Sequence, residues 1–446
     1  MKYSLTSKNL ILLFLAALVV RVALIVATPQ GNSILDLCIY IDSGQLVSHG
    51  VNPYNFNDNP TLRQQLRQDN FAFTPFTCST QDKWDYFASS NLPLALLTFG
   101  VIDTISSSYF FYRFVFAFLD SLLSILILYF VLQKIPLRSS FRGLNATQLK
   151  WIIGIGLGAL NPVILLNGTI IAEHKGTAIL LLLAALVTAQ SPKVSVKNYL
   201  SPVLLGLSIA FIGLGVFLFP LCLWYACWEE KWVWSRKTTG AALRYIGIVI
   251  LTALICFLPF LPEIFEMMWL RIAGSMGLVN HTNQNWYPYF SAPYHSSAWR
   301  IVYMGWPEGW KIIKNGYLIL FVMVNIYGVW QRKYDMRMLS ANLLLLFLGV
   351  FLLDGSLDRI NMALLPAILL VGQSQGKKIL PLILLYWIGG ALDILVAFLL
   401  QVNPIWETLY LSEFKIFESV FVLAFLIFYL ILLAKIALGP HRVDGK

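Results

Sequence analysis

Charged side chains are what this sequence has least of. They make up 12% of its 446 residues, about half the share found in a soluble globular chain. With 58% hydrophobic residues and a mean hydropathy of +0.71, a water-soluble fold is excluded and a polytopic membrane protein is indicated. Cysteine is scarce as well: of the five, Cys222, Cys227 and Cys256 fall in apolar segments, which excludes a disulfide framework. Cys38 and Cys78 alone share a polar segment. They suit a bridge in an oxidising compartment or, for Cys38, a small apolar position on a helix. His174, His281 and His295 do not stand at ligand spacing on one helix, so no metal site is read. The chain lacks a Walker-type phosphate loop and a dinucleotide fingerprint, which argues against a soluble nucleotide donor. No internal repeat or low-complexity linker divides it. Residues 1–446 therefore read as a single membrane domain, and the missing symmetry argues against transporters built from two related halves.

What charge there is has a pattern. The 32 Lys and Arg against 22 Asp and Glu give a net +10, and the bases lie in short clusters between apolar runs, as cytoplasmic loops require. The excess reads as topology, with no nucleic-acid partner. Lys2 and Lys8 put the N-terminus inside, ahead of the apolar run 9–27; no small-x-small cleavage site follows it, so it is expected as a retained helix. Residues 29–91 then form a first outer loop. The run 92–105 is short for a span and contains Pro93 and Asp103. It is expected as a re-entrant or interfacial helix, because a full crossing would put Lys134, Arg138, Arg142 and Lys150 outside and invert the later basic clusters. Spans are expected at 109–131, 151–171 and 177–189, a hairpin over 199–228, and a span at 245–261. A second outer loop covers 262–315, and further spans fall at 316–330, 338–353, 361–371, 379–400 and 417–438. This is an all-α polytopic protein with about twelve spans and two long extracytoplasmic loops. Arg21, Arg113, Asp120 and Asp393 lie within spans, where each charge costs about 2.5–3.5 kcal/mol, so they are expected to face protein or water.

The stretch 35–54, LDLCIYIDSGQLVSHGVNPY, is the first polar segment after the first apolar helix. Ser33 suits an N-cap, with a helix from about residue 34 that puts Asp36 in its first turn, at the positive end of the dipole. At about 100° per residue, Asp36, Tyr40 and Gly44 share one face, while Asp42 falls on another, near Gln45 and His49. Gly50 ends the helix and Asn52-Pro53-Tyr54 turns the chain away. The plain alternative makes Asp36 a cap, Asp42 a solvated acid and 50–53 only a turn.

Asp36-x5-Asp42, a glycine eight residues on, then Asn52-Pro53-Tyr54 resembles the first luminal loop of the mannosyltransferases that add the first mannose to glycosylphosphatidylinositol precursors. It is also similar to the bacterial polyprenyl-phosphate-mannose-dependent mannosyltransferases; both groups belong to the GT-C superfamily of membrane glycosyltransferases. Asn91-Leu92-Pro93-Leu94 stands where that family has Tyr-x-Pro-Leu. Asn161-Pro162-Val163, with Asn167-Gly168-Thr169 and Glu173, resembles the family's Asn-Pro helix and its outer motif; a proline-kinked span is the alternative. Gln284-Asn285-Trp286-Tyr287-Pro288-Tyr289-Phe290 looks like the family's His-Asn-Phe-Ser-Pro-Tyr-Phe loop, against the alternative of an interfacial aromatic belt. The family's Lys-x-Tyr-Pro segment is replaced here by Phe211-Ile212-Gly213-Leu214-Gly215, a departure that bears on donor or acceptor preference.

The resemblance implies a GT-C-like helical bundle that transfers a sugar, mannose by analogy, from a polyprenyl-phosphate donor to a lipid or glycan hydroxyl on the extracytoplasmic face, with inversion. Asp36 would be the catalytic base and Asp42 a second acid or orienting group. Tyr40, Asn52, Tyr54, Asn285 and Tyr289 would shape the sugar pocket. Glu173, His174, Lys175, Arg271, His281, Arg300 and Arg359 lie on the expected outer side, and cations among them would meet the leaving phosphate. No cofactor is required, although Asp36 and Asp42 also suit a divalent cation. A transporter or flippase of lipid-linked glycans, and a polysaccharide polymerase or ligase, are the competing classes.

Overall fold

The computed structural model describes residues 7–28, 35–56, 59–69, 91–137, 143–170, 174–213, 215–228 and 235–265, with 312, 316, 319–320, 322–323, 326, 365–370, 372–373, 380–384, 386–391 and 431. These are mostly helical, with no strand among them. In order come α1 (Ser7–Ala27), α2 (Leu35–Ser48), α3 (Pro60–Gln68), α4 (Pro93–Ile105), α5 (Tyr109–Lys134), α6 (Ala146–Leu157), α7 (Pro162–Ile164), α8 (Lys175–Ala189), α9 (Ser201–Ile212), α10 (Gly215–Trp228) and α11 (Arg236–Phe257). Among the described residues, three stretches are long and apolar enough to cross a membrane: Lys8–Ala27, Tyr109–Lys134 and Arg236–Phe260. Shorter apolar helices run over Pro93–Ile105, Lys175–Ala189, Val196–Ile212, Leu218–Cys227 and Leu380–Ala391. Ile11, Leu12, Leu15, Val19 and Val26 of α1 are exposed, an apolar surface suited to lipid rather than water.

The chain divides into two compact units: Met1–Tyr129 with Ile153–Cys227 and Ser235–Arg271, and Phe130–Ile152 with Trp228–Trp234 and Ile272–Lys446. In the first, α5 buries Tyr112, Phe116, Asp120, Leu123 and Ile127. Their spacing of three and four marks one helical face. α2 lies along α4, and the contacts Gly44 to Phe99, Val47 to Gly100 and Ser48 to Asp103 rise together, so the two helices run in parallel. The approach depends on Gly44. A Cβ there would stand 2.7 Å from the Phe99 carbonyl oxygen and collide with the Tyr112 hydroxyl. Gly50 takes φ +73° after α2, as its place in the sequence anticipates. Val51, Phe56 and Leu66 of α3 then fold back onto Leu46 as a small core.

Two spans differ from their expected outlines. The stretch expected as one helix over 151–171 is broken after Leu157, because Asn161 serves both pieces. Its Nδ2 donates to the Leu157 carbonyl at 2.7 Å, and its Oδ1 accepts from Val163 N at 3.0 Å, capping a new start at Pro162. That start runs into a π-helical turn, Leu165–Ile170. The last span of the first unit begins at Arg236 rather than near 245, because Ser235 and Thr238 form a capping box. Arg236, Lys237 and Arg244 are thus on the helix instead of in the loop before it. In the second unit, Lys150 Nζ donates to the Leu132 carbonyl at 3.0 Å, satisfying an orphan acceptor in the last turn of α5.

Candidate functional site

Two polar clusters in the first unit gather most of the described candidate residues. The first is built where α2, α4 and α5 meet the turn before α8. Tyr40, 5% exposed, stacks on Phe99 with ring centroids 4.7 Å apart. Its ring meets His174 edge to face, also at 4.7 Å. His174 is enclosed further by Phe99 and by Phe211 of α9, each at 5.4 Å. Offset and edge contacts of this kind add about 0.5–1.5 kcal/mol each beyond burial. Lys175 follows as the first residue of α8 and is buried with His174. Lys175 thus opens the helix at the end where the dipole is also positive.

Beneath this layer, α5 holds the turn from two sides. Arg113 Nε and an amine donate to the Thr169 carbonyl at 3.1 and 2.7 Å, and the guanidinium also reaches the Ile25 carbonyl and the Thr28 hydroxyl. Asp120, 1% exposed, presses its carboxylate against both Gly168 and Gly176, so that a Cβ at either would occupy the carboxylate's own space. Arg21 acts electrostatically on Asp120. Its amines, however, bond Ser124 Oγ at 3.0 Å and the carbonyls of Ala17, Gly158 and Ala159. Arg21, Arg113 and Asp120 are thus buried in protein, as their cost in lipid demands. Arg113 and Asp120 make no hydrogen bond to each other, in keeping with their separation of two turns.

Asp42 is 2% exposed, which removes the alternative of a solvated acid. It and Asp103 of α4 both act electrostatically on the Tyr112 hydroxyl, which donates to the Phe99 carbonyl at 3.0 Å. Asp103 accepts from Ser48 Oγ at 2.6 Å. Asp36 lies in the first turn of α2, one helical turn before Tyr40. No group of three or more His, Cys, Asp or Glu with metal-site geometry occurs among the described residues.

The second cluster is the turn after α2. Asn52 Nδ2 donates to Glu263 Oε2 at 3.1 Å, and Asn55 Nδ2 to Glu263 Oε1 at 3.4 Å. Tyr54 donates its hydroxyl to the Asn91 carbonyl and sets its ring against Phe260 at 5.7 Å. The turn after α2 therefore meets the residues just before α4 and just after α11.

Of the sequence candidates, Tyr40, His174 and Lys175 are brought together, while Asn52 and Tyr54 form the second cluster. Glu173, Arg271, His281, Asn285, Tyr289, Arg300 and Arg359 lie outside the described residues, as does Asp393. Glu263 and Phe99 were not singled out by sequence, and Phe211 was noted only as part of the segment that departs from the family's Lys-x-Tyr-Pro. Glu263 carried one signal, as the first acid after an apolar span at Leu261-Pro262. Neither phenylalanine carried a signal of contact with His174, both being apolar residues in apolar runs. Comparison of the chain with family models, curated proteins and solved structures finds no match in any of the three.

Proposed function

We propose that the chain is a multi-pass GT-C-type glycosyltransferase that moves a sugar, mannose by analogy, from a polyprenyl-phosphate donor to a lipid or glycan hydroxyl on the extracytoplasmic face. The observation that carries this reading is the contact of Tyr40 with His174. It brings the helix that bears Asp36 beside the helix start that bears Lys175, although these segments are far apart in sequence. A carboxylate and a cation on adjoining segments are what the transfer requires. Asp36 takes the acceptor hydroxyl proton as the oxygen attacks the anomeric carbon, and the bond to the polyprenyl phosphate breaks with its charge met by Lys175 and other outer cations. Asp42, buried close to Tyr112, fits an orienting role better than that of a second base. The isoprenoid tail would stay in lipid beside helices whose exposed faces are apolar.

The test is direct: purified protein is given polyprenyl-phosphate-mannose and a membrane lipid extract, and transfer is followed by mass. A hexose increment on a lipid or glycan acceptor supports the reading; its absence across donors removes it. The buried Arg21 and Asp120 favour a second reading, a transporter or flippase of lipid-linked glycans, since such proteins carry charges deep in the membrane. Movement of a labelled lipid-linked glycan across reconstituted vesicles, without chemical change, would mark that function.

A further inference from the structure

Glu263 follows α11 and its final 3₁₀ turn, Leu258–Phe260, and its carboxylate is occupied on both oxygens by amides from one short turn, Asn52 on Oε2 and Asn55 on Oε1. The orientation of the Asn52 amide is fixed independently. Tyr54 N donates to Asn52 Oδ1 at 3.0 Å, which leaves Nδ2 to face Glu263. The backbone supports the same shape, with Asn55 N donating to the Asn52 carbonyl at 3.2 Å. Neighbouring residues anchor both sides, since Phe56 and Ile264 are fully buried. Charge-assisted bonds of this kind are roughly twice as strong as neutral ones. Residues 52–55 and 263 are more than two hundred positions apart, so a local turn does not need this bond to form. Its effect is to fix the end of α2 against the end of α11.

We propose that Glu263 is a positioning residue: through the amides of Asn52 and Asn55 it sets the placement of the first outer segment, and with it α2, against α11. As a part of catalysis this rests on the glycosyltransferase reading; as a tie between segments it does not. The partners differ in kind, one a carboxylate and the other an amide, so they can be exchanged. Asn52→Asp sets two carboxylates against each other, and Glu263→Gln leaves one carbonyl acceptor for two amide donors and turns its own NH2 toward the other amide. Combining the two restores one donor and one acceptor, while the carboxylate introduced at position 52 still accepts from Tyr54 N and the glutamine carbonyl still accepts from Asn55.

The experiment compares the full chain and these three variants in nanodiscs, by backbone hydrogen exchange over residues 51–56 and by transfer kinetics with polyprenyl-phosphate-mannose. Each single variant is expected to speed exchange about tenfold and to lower kcat about tenfold, with donor KM changed less than about twofold. The double variant is expected to return exchange to within about threefold of the wild type and to raise kcat above that of either single variant, full recovery not being required because position 52 is also a sugar-pocket candidate. Unchanged exchange in the single variants, or a double variant as impaired as either single, overturns the proposal. If exchange follows the expected pattern while kcat does not, the tie stands and its catalytic role is overturned. If the wild type transfers no sugar, the glycosyltransferase reading fails, and the exchange measurements still decide whether the tie exists.

Discussion

The Asp120 carboxylate occupies the space that a Cβ at position 176 would need. A residue of α5 is therefore fitted to a residue at the start of α8 with no room for a single added carbon. Gly176→Ala has to displace either a buried carboxylate or the helix start, and overpacking of this kind costs about 1–3 kcal/mol. The expected outcome is a lower thermal unfolding midpoint in detergent. Asp120→Ala in the same chain should relieve much of it, so the two changes should be non-additive by about 1 kcal/mol or more. Additive losses would show that the two groups do not share this space.

Tyr40 is predicted to be structural as well as close to the site. It is buried and contacts Phe99, Phe116 and His174, so Tyr40→Ala leaves a cavity where three rings converge. A loss of about 3–5 kcal/mol is expected for an aromatic truncated in a packed core. Thermal unfolding of that variant close to the wild-type midpoint would mean the cluster is not packed in solution.

Much of the helical outline was legible from apolar runs and end signals. The long runs became α1, α5 and α11, and Gly50 ended α2 as its residue type implies. The boundaries that moved did so through short polar signals competing with hydropathy: Asn161 broke one span, and Ser235 with Thr238 started another early. The shared face of Tyr40 and Gly44 was readable from helical period, and both pack against Phe99. The enclosure of His174 was not readable, because Phe99 and Phe211 look the same in sequence whether they face lipid or a histidine. Nor were the partners of Arg113, since backbone carbonyls belong to every residue and leave no mark in side-chain pattern. Glu263 needed long-range geometry to be recognised.

Arg113 should resist its usual conservative replacement. Its guanidinium donates to the Thr169 and Ile25 carbonyls and the Thr28 hydroxyl at once, a spread of donors that an ammonium lacks. Arg113→Lys is expected to lower stability by about 2 kcal/mol, the scale of a lost hydrogen bond to a charged group. Hydrogen exchange over residues 165–171 should rise in the same variant. Wild-type exchange there would assign the turn's stability to other contacts.

Asp36 tests the chemistry. In the first turn of α2, the change Asp36→Asn keeps the side-chain size and removes the proposed base. Transfer should fall by at least about a hundredfold, the low end of what general-base catalysis contributes, while the unfolding midpoint stays near that of the wild type. Full activity in this variant would remove Asp36 from the mechanism.

The final prediction concerns which way the chain faces. α4 has 13 residues, which at 1.5 Å per residue gives a helix of about 20 Å, short of the roughly 30 Å hydrocarbon core. It also runs parallel to α2 and shares the Ser48 to Asp103 hydrogen bond with it, an arrangement suited to two helices lying on one side of the bilayer. If α4 does not cross, the exposed connector residue Ser107 lies on the same side as Gln65 of α3, and the crossing is made by α5. Single cysteines in a chain cleared of its native ones should then label in a set pattern with an impermeant reagent. Gln65→Cys, Ser107→Cys and Ser297→Cys should react from the extracytoplasmic side, and Ser139→Cys only after the membrane is opened. Labelling of Ser139→Cys from outside, with Ser107→Cys reacting only after the membrane is opened, would mean that α4 crosses. Labelling of Ser297→Cys together with Ser139→Cys would put the two outer segments on opposite faces, and the proposed active-site face would fail with them.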